Sequence, residues 1–337
     1  MAIGLSRDTL VFEFPEVHAD AVLHVSFQRT LRVPDDGRDH HLPPGLGRFP
    51  LRAVDDLPEA RVPALWRRRG GVALPMWQAE ACWLYFISPL DYPMAVKVAA
   101  GKVNAVNGAP WSNELDFARQ DYVEVPGQPW LDGFCVAEGK VRQFVAMPLG
   151  RGYTAEEQVT GAAEHGGIQL LVRPLKREVW ERRLERQRKM RARWTAEAGF
   201  AEACCEAPSA GMGLAPGGSI RQQINEAVER PGDWDPDARS RCFVHIADSL
   251  AWRAVTGEAP PVPPPTAADY ADAGLPWFAW YDDRPALEGS SVLADLASVH
   301  ALGERRGEAP LPENAGFEPP EPVALRQHRG RGVRSEF

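Results

Sequence analysis

The stretch FCVAEGKVRQFVAM, residues 134–147, contains two apolar β-type segments joined through Glu138-Gly139. The segments Phe134–Ala137 and Val141–Met147 are rich in valine and phenylalanine, which are enriched in strands. A connection this short joins antiparallel neighbours, because parallel strands need a crossover of a dozen or more residues. The stretch therefore predicts a β-hairpin.

Similar segments recur on both sides of this hairpin, and few helical segments separate them. They are Thr9–Phe14, Val22–Val33, Ala81–Ile87, Met94–Val98, Val103–Val106, Asp121–Val125 and Ile168–Arg173. Hairpin pairing is favoured over a doubly wound parallel sheet, which would alternate strands with helices. We predict an α+β protein whose core is a β-rich antiparallel sandwich or irregular barrel.

The pattern changes after residue 175. Residues 176–198 contain no Gly or Pro and predict a long helix. Ala201–Gly218 is glycine-rich and predicts a flexible or functional loop. Cys242–Gly257 fits either a helix, or a strand to Ile246 followed by a helix ending at Gly257. We also expect Thr266 to cap a short helix.

The domain organisation follows from this change. We expect a β-rich core over residues 1–175 and a helix- and loop-rich part over 176–306 packed on the same core. Residues 307–337 are rich in Pro, Glu, Arg and Gly, and we expect an extended or mobile tail there.

The composition excludes several classes of protein. The 337 residues include 30 Gly, 31 Pro and 11 Trp, and 44% are hydrophobic. Such a chain can bury a sizeable core, but it cannot form a coiled coil or an ordinary helical bundle, and it is not wholly disordered.

The sequence also indicates a cytoplasmic, soluble protein. Residues 1–10 lack the apolar core of a secretory signal, and the longest apolar stretch, Ala81–Leu90, is shorter than the roughly 20 residues that span a bilayer. The five cysteines are sparse and odd in number, which argues against a disulfide framework.

The net charge of −8 hides a basic segment. Residues 173–193 contain ten basic and three acidic residues and carry +7, which leaves −15 on the remainder. Arg182 and Arg186 could bind a polyanion or a membrane surface; alternatively, the helix lies across an acidic neighbouring surface, which we favour. We do not expect nucleic-acid binding, because an acidic chain is repelled by phosphates.

No complete metal or cofactor motif is visible. Cys242-x-x-His245 supplies half of a zinc site. Residues 211–218 lack the Lys-Ser/Thr of a phosphate-binding loop, and no dinucleotide-binding fingerprint occurs. We therefore expect no metal and no cofactor. Cys242 and His245 could form a nucleophile–base pair, but a buried thiol beside a hydrogen-bonded histidine explains them as well.

Residues 143–169 combine five glycines with polar residues that suit catalysis or binding. The catalytic candidates are Glu156, Glu157, Glu164 and His165, since a histidine beside a carboxylate can act as a general base. Arg151 and Tyr153 are binding candidates. The alternative is a long crossover loop whose polar groups cap and satisfy the backbone.

Three tryptophans are further binding candidates. Trp130, Trp277 and Trp280 lie beside proline or other apolar residues and could form aromatic platforms for a partner. Burial in the core is the alternative for each, because an indole buries a large apolar area.

Several blocks resemble a family of microbial proteins that has no assigned function. They are LPPGLGRFPL at 42–51, PMWQAEA at 75–81, QPWLDG at 128–133, and residues 143–169. The resemblance extends from about residue 25 to residue 320 and implies one integrated unit. It implies no particular fold, activity or site residue.

These observations favour a cytoplasmic, non-enzymatic binding or assembly protein that has a protein partner or self-associates as a homo-oligomer. The first alternative is a hydrolase or transferase that uses the glycine-flanked Glu/His loop, residues 150–169. The second is polyanion or membrane-surface binding through the basic helix.

Overall fold

The computed structural model describes residues 2–191, 211–281, 284–309 and 322–326. One 17-stranded sheet dominates it, and a two-stranded parallel sheet accompanies it. The strands of the large sheet are β1 (Ala2–Ser6), β2 (Thr9–Glu13), β3 (Val22–Thr30), β4 (Asp39–His40), β5 (Gly45–Arg48), β6 (Arg52–Ala53), β7 (Val72–Pro75), β8 (Ala81–Ile87), β9 (Met94–Ala100), β10 (Val103–Asn104), β11 (Val123–Val125), β12 (Trp130–Leu131), β13 (Gly133–Ala137), β14 (Lys140–Pro148), β15 (Ile168–Pro174), β16 (Gly211–Arg221) and β17 (Ser240–Ala247). The small sheet contains β18 (Phe278–Tyr281) and β19 (Val323–Arg326).

The expected hairpin is β13–β14, paired antiparallel with Cys135 opposite Val141. Within the large sheet, the pairings β4–β16 and β7–β17 are parallel and the other described pairings are antiparallel. The β-rich, mainly antiparallel α+β class is therefore confirmed. The choice between a sandwich and an irregular barrel stays a prediction.

Two runs of strands form the sheet. One runs β1–β2–β3–β8–β14–β16, and the other runs β9–β15–β17–β7–β6. The start of β16 pairs with the end of β17, through Gly211 opposite Ala247, and joins the runs. Side chains from both runs contribute to one large hydrophobic core.

The expected loop over 201–218 is wrong for residues 211–218, which form most of β16. The glycines there reflect close packing: a Cβ atom at Gly218 would lie 2.2 Å from the carbonyl oxygen of Pro34. Residues 192–210, which include the end of the expected basic helix, Cys204 and Cys205, lie outside the described residues.

The helices are short except for the basic one. They are α1 (Ala64–Arg69), α2 (Ala155–Thr160), α3 (Arg177–Arg191), α4 (Ser249–Thr256), α5 (Ala267–Asp272), α6 (Ser291–Ala294) and α7 (Val299–Arg305), with 3-10 turns at Val54–Asp56, Glu59–Arg61 and Pro231–Asp233. Of the two alternatives for residues 242–257, β17 followed by α4 is correct, with Gly257 as the left-handed cap. Thr266 caps α5 as expected.

Within the described part of the chain, no helix combines the length and the apolarity needed to cross a membrane.

Candidate functional site

The glycine-rich loop is organised around the buried carboxylate of Glu156. This side chain is 2% exposed and lies in the first turn of α2. Its oxygens accept hydrogen bonds from the backbone N–H groups of Glu164 (3.0 Å), His165 (2.8 Å) and Gly166 (2.7 Å). Three backbone donors stabilise the ionised carboxylate and fold the loop back over α2.

The same carboxylate orients the ring of His165. Nδ1 of His165 lies 2.8 Å from Oε1 of Glu156. Because an ionised carboxylate only accepts hydrogen bonds, Nδ1 carries the proton when the ring is neutral, and Nε2 carries the lone pair. A buried acid that fixes the tautomer of a half-buried histidine is the arrangement that a general base requires.

His165 lines a pocket of about 240 Å³, called here the histidine pocket. His245 lines it as well, together with Trp66, Leu149 and Met212. His245 donates from Nε2 to the carbonyl oxygen of Gly70 at 3.0 Å. Burial lowers the pKa of His245 to about 4, so its ring is neutral at pH 7.

The other catalytic candidates lie apart from this pair. Glu157 forms a capping box with Thr154 and also accepts from the N–H of Gly152 at 2.7 Å. The Glu164 side chain is exposed. Cys242 lies three positions before His245 in β17, and residues three apart in a strand point to opposite faces. Burial raises the pKa of the Cys242 thiol to about 12, which keeps it protonated.

A second and larger pocket, called here the cationic pocket, has a volume of about 700 Å³. Four basic side chains line it: Arg69 at the end of α1, Lys102 in the β9–β10 turn, Arg239, and Arg241 in β17. Among the described residues that line it, none is acidic. Within the described residues, Lys102 and Arg241 pair with no carboxylate, whereas Arg239 pairs with Glu114.

Strand register brings these basic residues together. β15 lies between β9 and β17, and Gln169 of β15 faces Ala99 on one side and Phe243 on the other. Oε1 of Gln169 accepts a hydrogen bond from the N–H of Lys102 at 2.6 Å. The turn after β9 and the first half of β17 therefore lie on either side of β15, close to Gln169.

A column of planar groups separates the two pockets. The Arg69 guanidinium lies 4.7 Å from the ring centre of Phe243, Phe243 stacks on His245 at 4.6 Å, and His245 stacks on Trp66 at 4.7 Å. Arg69 also donates to the carbonyl oxygens of His165 (3.0 Å) and Glu164 (3.2 Å). Arg69 therefore contributes to the cationic pocket and to the position of the His165 loop.

The basic helix packs on the body through its first two turns. Val179 and Trp180 are buried, and the Trp180 indole donates to Asp20 at 3.1 Å. Arg183 pairs with Glu229. Arg182 and Arg186 are exposed on the remaining face, so the helix lies against acidic neighbours while these two cations stay in solvent.

The remaining binding candidates have different surroundings. Arg151 is exposed, and Tyr153 is buried with its hydroxyl donating to Glu308 at 2.6 Å. Trp277 is fully buried in the core. The Trp280 side chain lies outside the described residues. Trp130 is half-buried and, with Trp83 and Asp132, lines a third pocket of about 200 Å³.

Sequence reasoning missed Arg69, Lys102, Arg241 and Asp132 as site residues. The run Arg67-Arg-Arg-Gly-Gly is visible in the sequence, but only the folded structure shows that Arg69 lines the same pocket as Arg241. Asp132 stands in the block QPWLDG, where nothing local distinguishes it from a turn aspartate.

Comparison of this chain with models of protein families, with curated proteins and with solved structures finds no match. Among the residues that the structure describes, no three His, Cys, Asp or Glu side chains form a cluster suited to a metal ion.

Proposed function

We propose that this chain is a binding protein whose ligand is a small, multiply charged anion held in the cationic pocket. The observation that carries the proposal is the lining itself: among the described residues that line this concave space, four side chains are basic, of which Arg239 pairs with Glu114, and none is acidic. The volume of about 700 Å³ suits a small molecule rather than a macromolecular chain.

The charge distribution supports the same ligand class. The chain carries −8 overall, so an anion is repelled by most of the molecule. The basic side chains that line this concave site focus the field and attract an anion to one place. Lys102 and Arg241, which have no carboxylate partner among the described residues, gain most from a ligand that carries phosphate or carboxylate groups.

Calorimetry with sodium tripolyphosphate tests this proposal. We expect saturable binding that weakens as NaCl is raised from 50 to 300 mM, and about tenfold weaker binding for Arg241→Ala and for Lys102→Ala. Arg186→Ala is the matched control, because it removes one exposed arginine that does not line the cationic pocket. Absence of binding, or equal weakening by the control, would overturn the proposal.

We propose acid–base catalysis at His165 as the second candidate function, for a hydrolase or transferase. The observation that favours it is the 2.8 Å contact between Nδ1 of His165 and the buried Glu156 carboxylate, at the edge of the histidine pocket. In the neutral ring this contact leaves Nε2 as an oriented proton acceptor.

Hydrolysis of p-nitrophenyl acetate tests the second candidate. We expect His165→Gln to reduce the rate at least tenfold, because the variant lacks the ring nitrogen Nε2 that accepts the proton. His300→Gln is the control, because His300 lies on α7 and does not line the histidine pocket. Equal rates for the two variants would count against catalysis at His165.

The expectation of a protein partner or of self-association stays a prediction. Size-exclusion chromatography with light scattering measures the mass directly. A monomer that retains no partner in a lysate would contradict it.

A further inference from the structure

The pocket that contains Trp83 and Trp130, called here the aromatic pocket, shares no described lining residue with the cationic pocket or the histidine pocket. Trp83 comes from β8 and Trp130 from β12, which pair so that Trp130 lies opposite Tyr85. Pro43 and Pro44 form one wall and Phe278 of β18 another. The volume is about 200 Å³.

Of the described residues that line the aromatic pocket, Asp132 is the one that is ionisable. It follows β12 directly, so continuing the β12–β8 register brings it opposite Trp83. The residue is 4% exposed. The Trp130 side chain hydrogen-bonds to the carboxyl group of Asp132, and Oδ2 has no hydrogen-bond partner among the residues that the structure describes.

Asp132 differs from the other buried acids in the partners of its carboxyl group. Among the described residues, the buried acids are Glu80, Asp121, Asp132 and Glu156. Glu80 pairs with Arg29, and Asp121 pairs with Lys97. Glu156 accepts three backbone hydrogen bonds in addition to the contact with His165. Asp132 has no cation beside it in the described part of the chain.

An unpaired buried oxygen is costly, because the protein does not replace the hydrogen bonds that water would supply. A ligand that donates an N–H group to Oδ2 removes this cost. Two indoles beside the carboxyl group add a preference for positive charge, since the faces of tryptophan attract cations. The proline and phenylalanine walls suit a short aliphatic chain.

We propose that the aromatic pocket binds the ammonium end of a small primary aliphatic amine. One ammonium N–H donates to Oδ2 of Asp132, and the charge and the first methylene groups lie against Trp83 and Trp130. This ligand meets the three features of the pocket together: an oxygen that lacks a donor, aromatic faces, and apolar walls of limited volume.

Calorimetry with three small probes tests each feature. n-Butylammonium chloride carries both the charge and the N–H groups, tetramethylammonium chloride carries the charge alone, and 1-butanol is neutral. At constant ionic strength we expect saturable binding of n-butylammonium and at least tenfold weaker binding of the other two. Equal binding of 1-butanol would show an apolar pocket only and would overturn the proposal, as would the absence of n-butylammonium binding.

Variants assign the binding to this pocket. We expect Asp132→Asn to weaken n-butylammonium binding at least tenfold, while Asp91→Asn, which removes the same charge at an exposed turn, leaves it unchanged. Unchanged binding by folded Asp132→Asn would overturn the proposal. If that variant does not fold, Trp83→Leu provides the test, because it keeps Asp132 and removes one indole. This variant should lose most of the preference for n-butylammonium over 1-butanol. An unaltered preference would overturn the proposal.

Discussion

Each of the four buried acids in the described part of the chain has a different set of partners. Glu156 is surrounded by N–H donors, Glu80 and Asp121 face cations, and Asp132 faces indoles. Residue type alone does not set the chemistry of a carboxyl group, because burial and hydrogen bonding determine the cost of ionising it. At the residue scale these partners lead to two predictions.

Glu156→Gln should destabilise the protein by about 3 kcal/mol, since the variant loses the charge that accepts three backbone hydrogen bonds and turns an amide N–H₂ toward a donor. Urea unfolding followed by circular dichroism measures the change. Glu164→Gln is the control and should stay within about 0.5 kcal/mol of wild type, because that side chain is exposed. Equal stability of the two variants would contradict the structural role of Glu156.

Asp132→Asn should change how stability depends on pH. Burial raises the pKa of Asp132 from 3.8 in the unfolded chain to about 7 in the folded protein. The stability that comes from this shift is fully present below pH 4 and is lost as the pH rises through 7. As the pH rises from 4 to 8, the free energy of unfolding of Asp132→Asn should therefore increase relative to that of wild type. The increase should reach up to about 4 kcal/mol, because each unit of pKa difference corresponds to roughly 1.4 kcal/mol. Parallel curves of unfolding free energy against pH would contradict the shift.

At the element scale, strands with regular apolar patterns could be predicted from the sequence, and β16 could not. The segments around the 138–139 turn appear as β13 and β14. β16 has the sequence GMGLAPGGSIR, whose glycines and proline are typical of a loop. Here the sheet needs small residues because Pro34 and β14 approach closely, and only the tertiary structure contains that information.

The candidate sites also differ in how far they could be predicted from the sequence. The contact between Glu156 and His165 spans nine residues, and the glycine-flanked loop could be recognised from its composition. The cationic pocket combines Arg69, Lys102 and Arg241, which lie far apart in sequence. Their proximity depends on which strands β15 pairs with, and single-sequence patterns do not determine strand order.

Gly218→Ala should disrupt β16. The added Cβ would lie 2.2 Å from the Pro34 carbonyl oxygen, which belongs to the backbone and cannot rotate away. Overpacking of this kind typically costs about 1–3 kcal/mol. Gly232→Ala is the matched control, because a Cβ there meets no atom within 4 Å. Thermal unfolding compares the two, and an equal midpoint would contradict the close approach.

At the scale of the whole molecule, the two halves of the chain share one sheet. β16 pairs with β14 along most of its length, and β17 pairs with both β15 and β7. Without residues 211–247, the edges of β14 and β15 would be left unpaired, and part of the core would be exposed.

The hydrophobic core that both halves share should therefore unfold in one cooperative transition in the full chain. A fragment of residues 1–175 should not fold alone. Urea titrations monitored by far-UV circular dichroism and by tryptophan fluorescence should give coincident curves for the full chain. The fragment should show no cooperative transition. A fragment that unfolds cooperatively would contradict this dependence.

The stacked column between the two pockets has an energetic consequence. The Arg69 guanidinium both lines the cationic pocket and holds the carbonyl groups of Glu164 and His165. An anion that attracts the Arg69 guanidinium into the cationic pocket would weaken its hydrogen bonds to these two carbonyl groups. A molecule bound beside His165 that stabilises residues 164–165 in place would oppose this displacement of Arg69. If both pockets are occupied as proposed, we expect heterotropic coupling through Arg69, and thermodynamic reciprocity then requires each occupant to change the affinity of the other by the same factor.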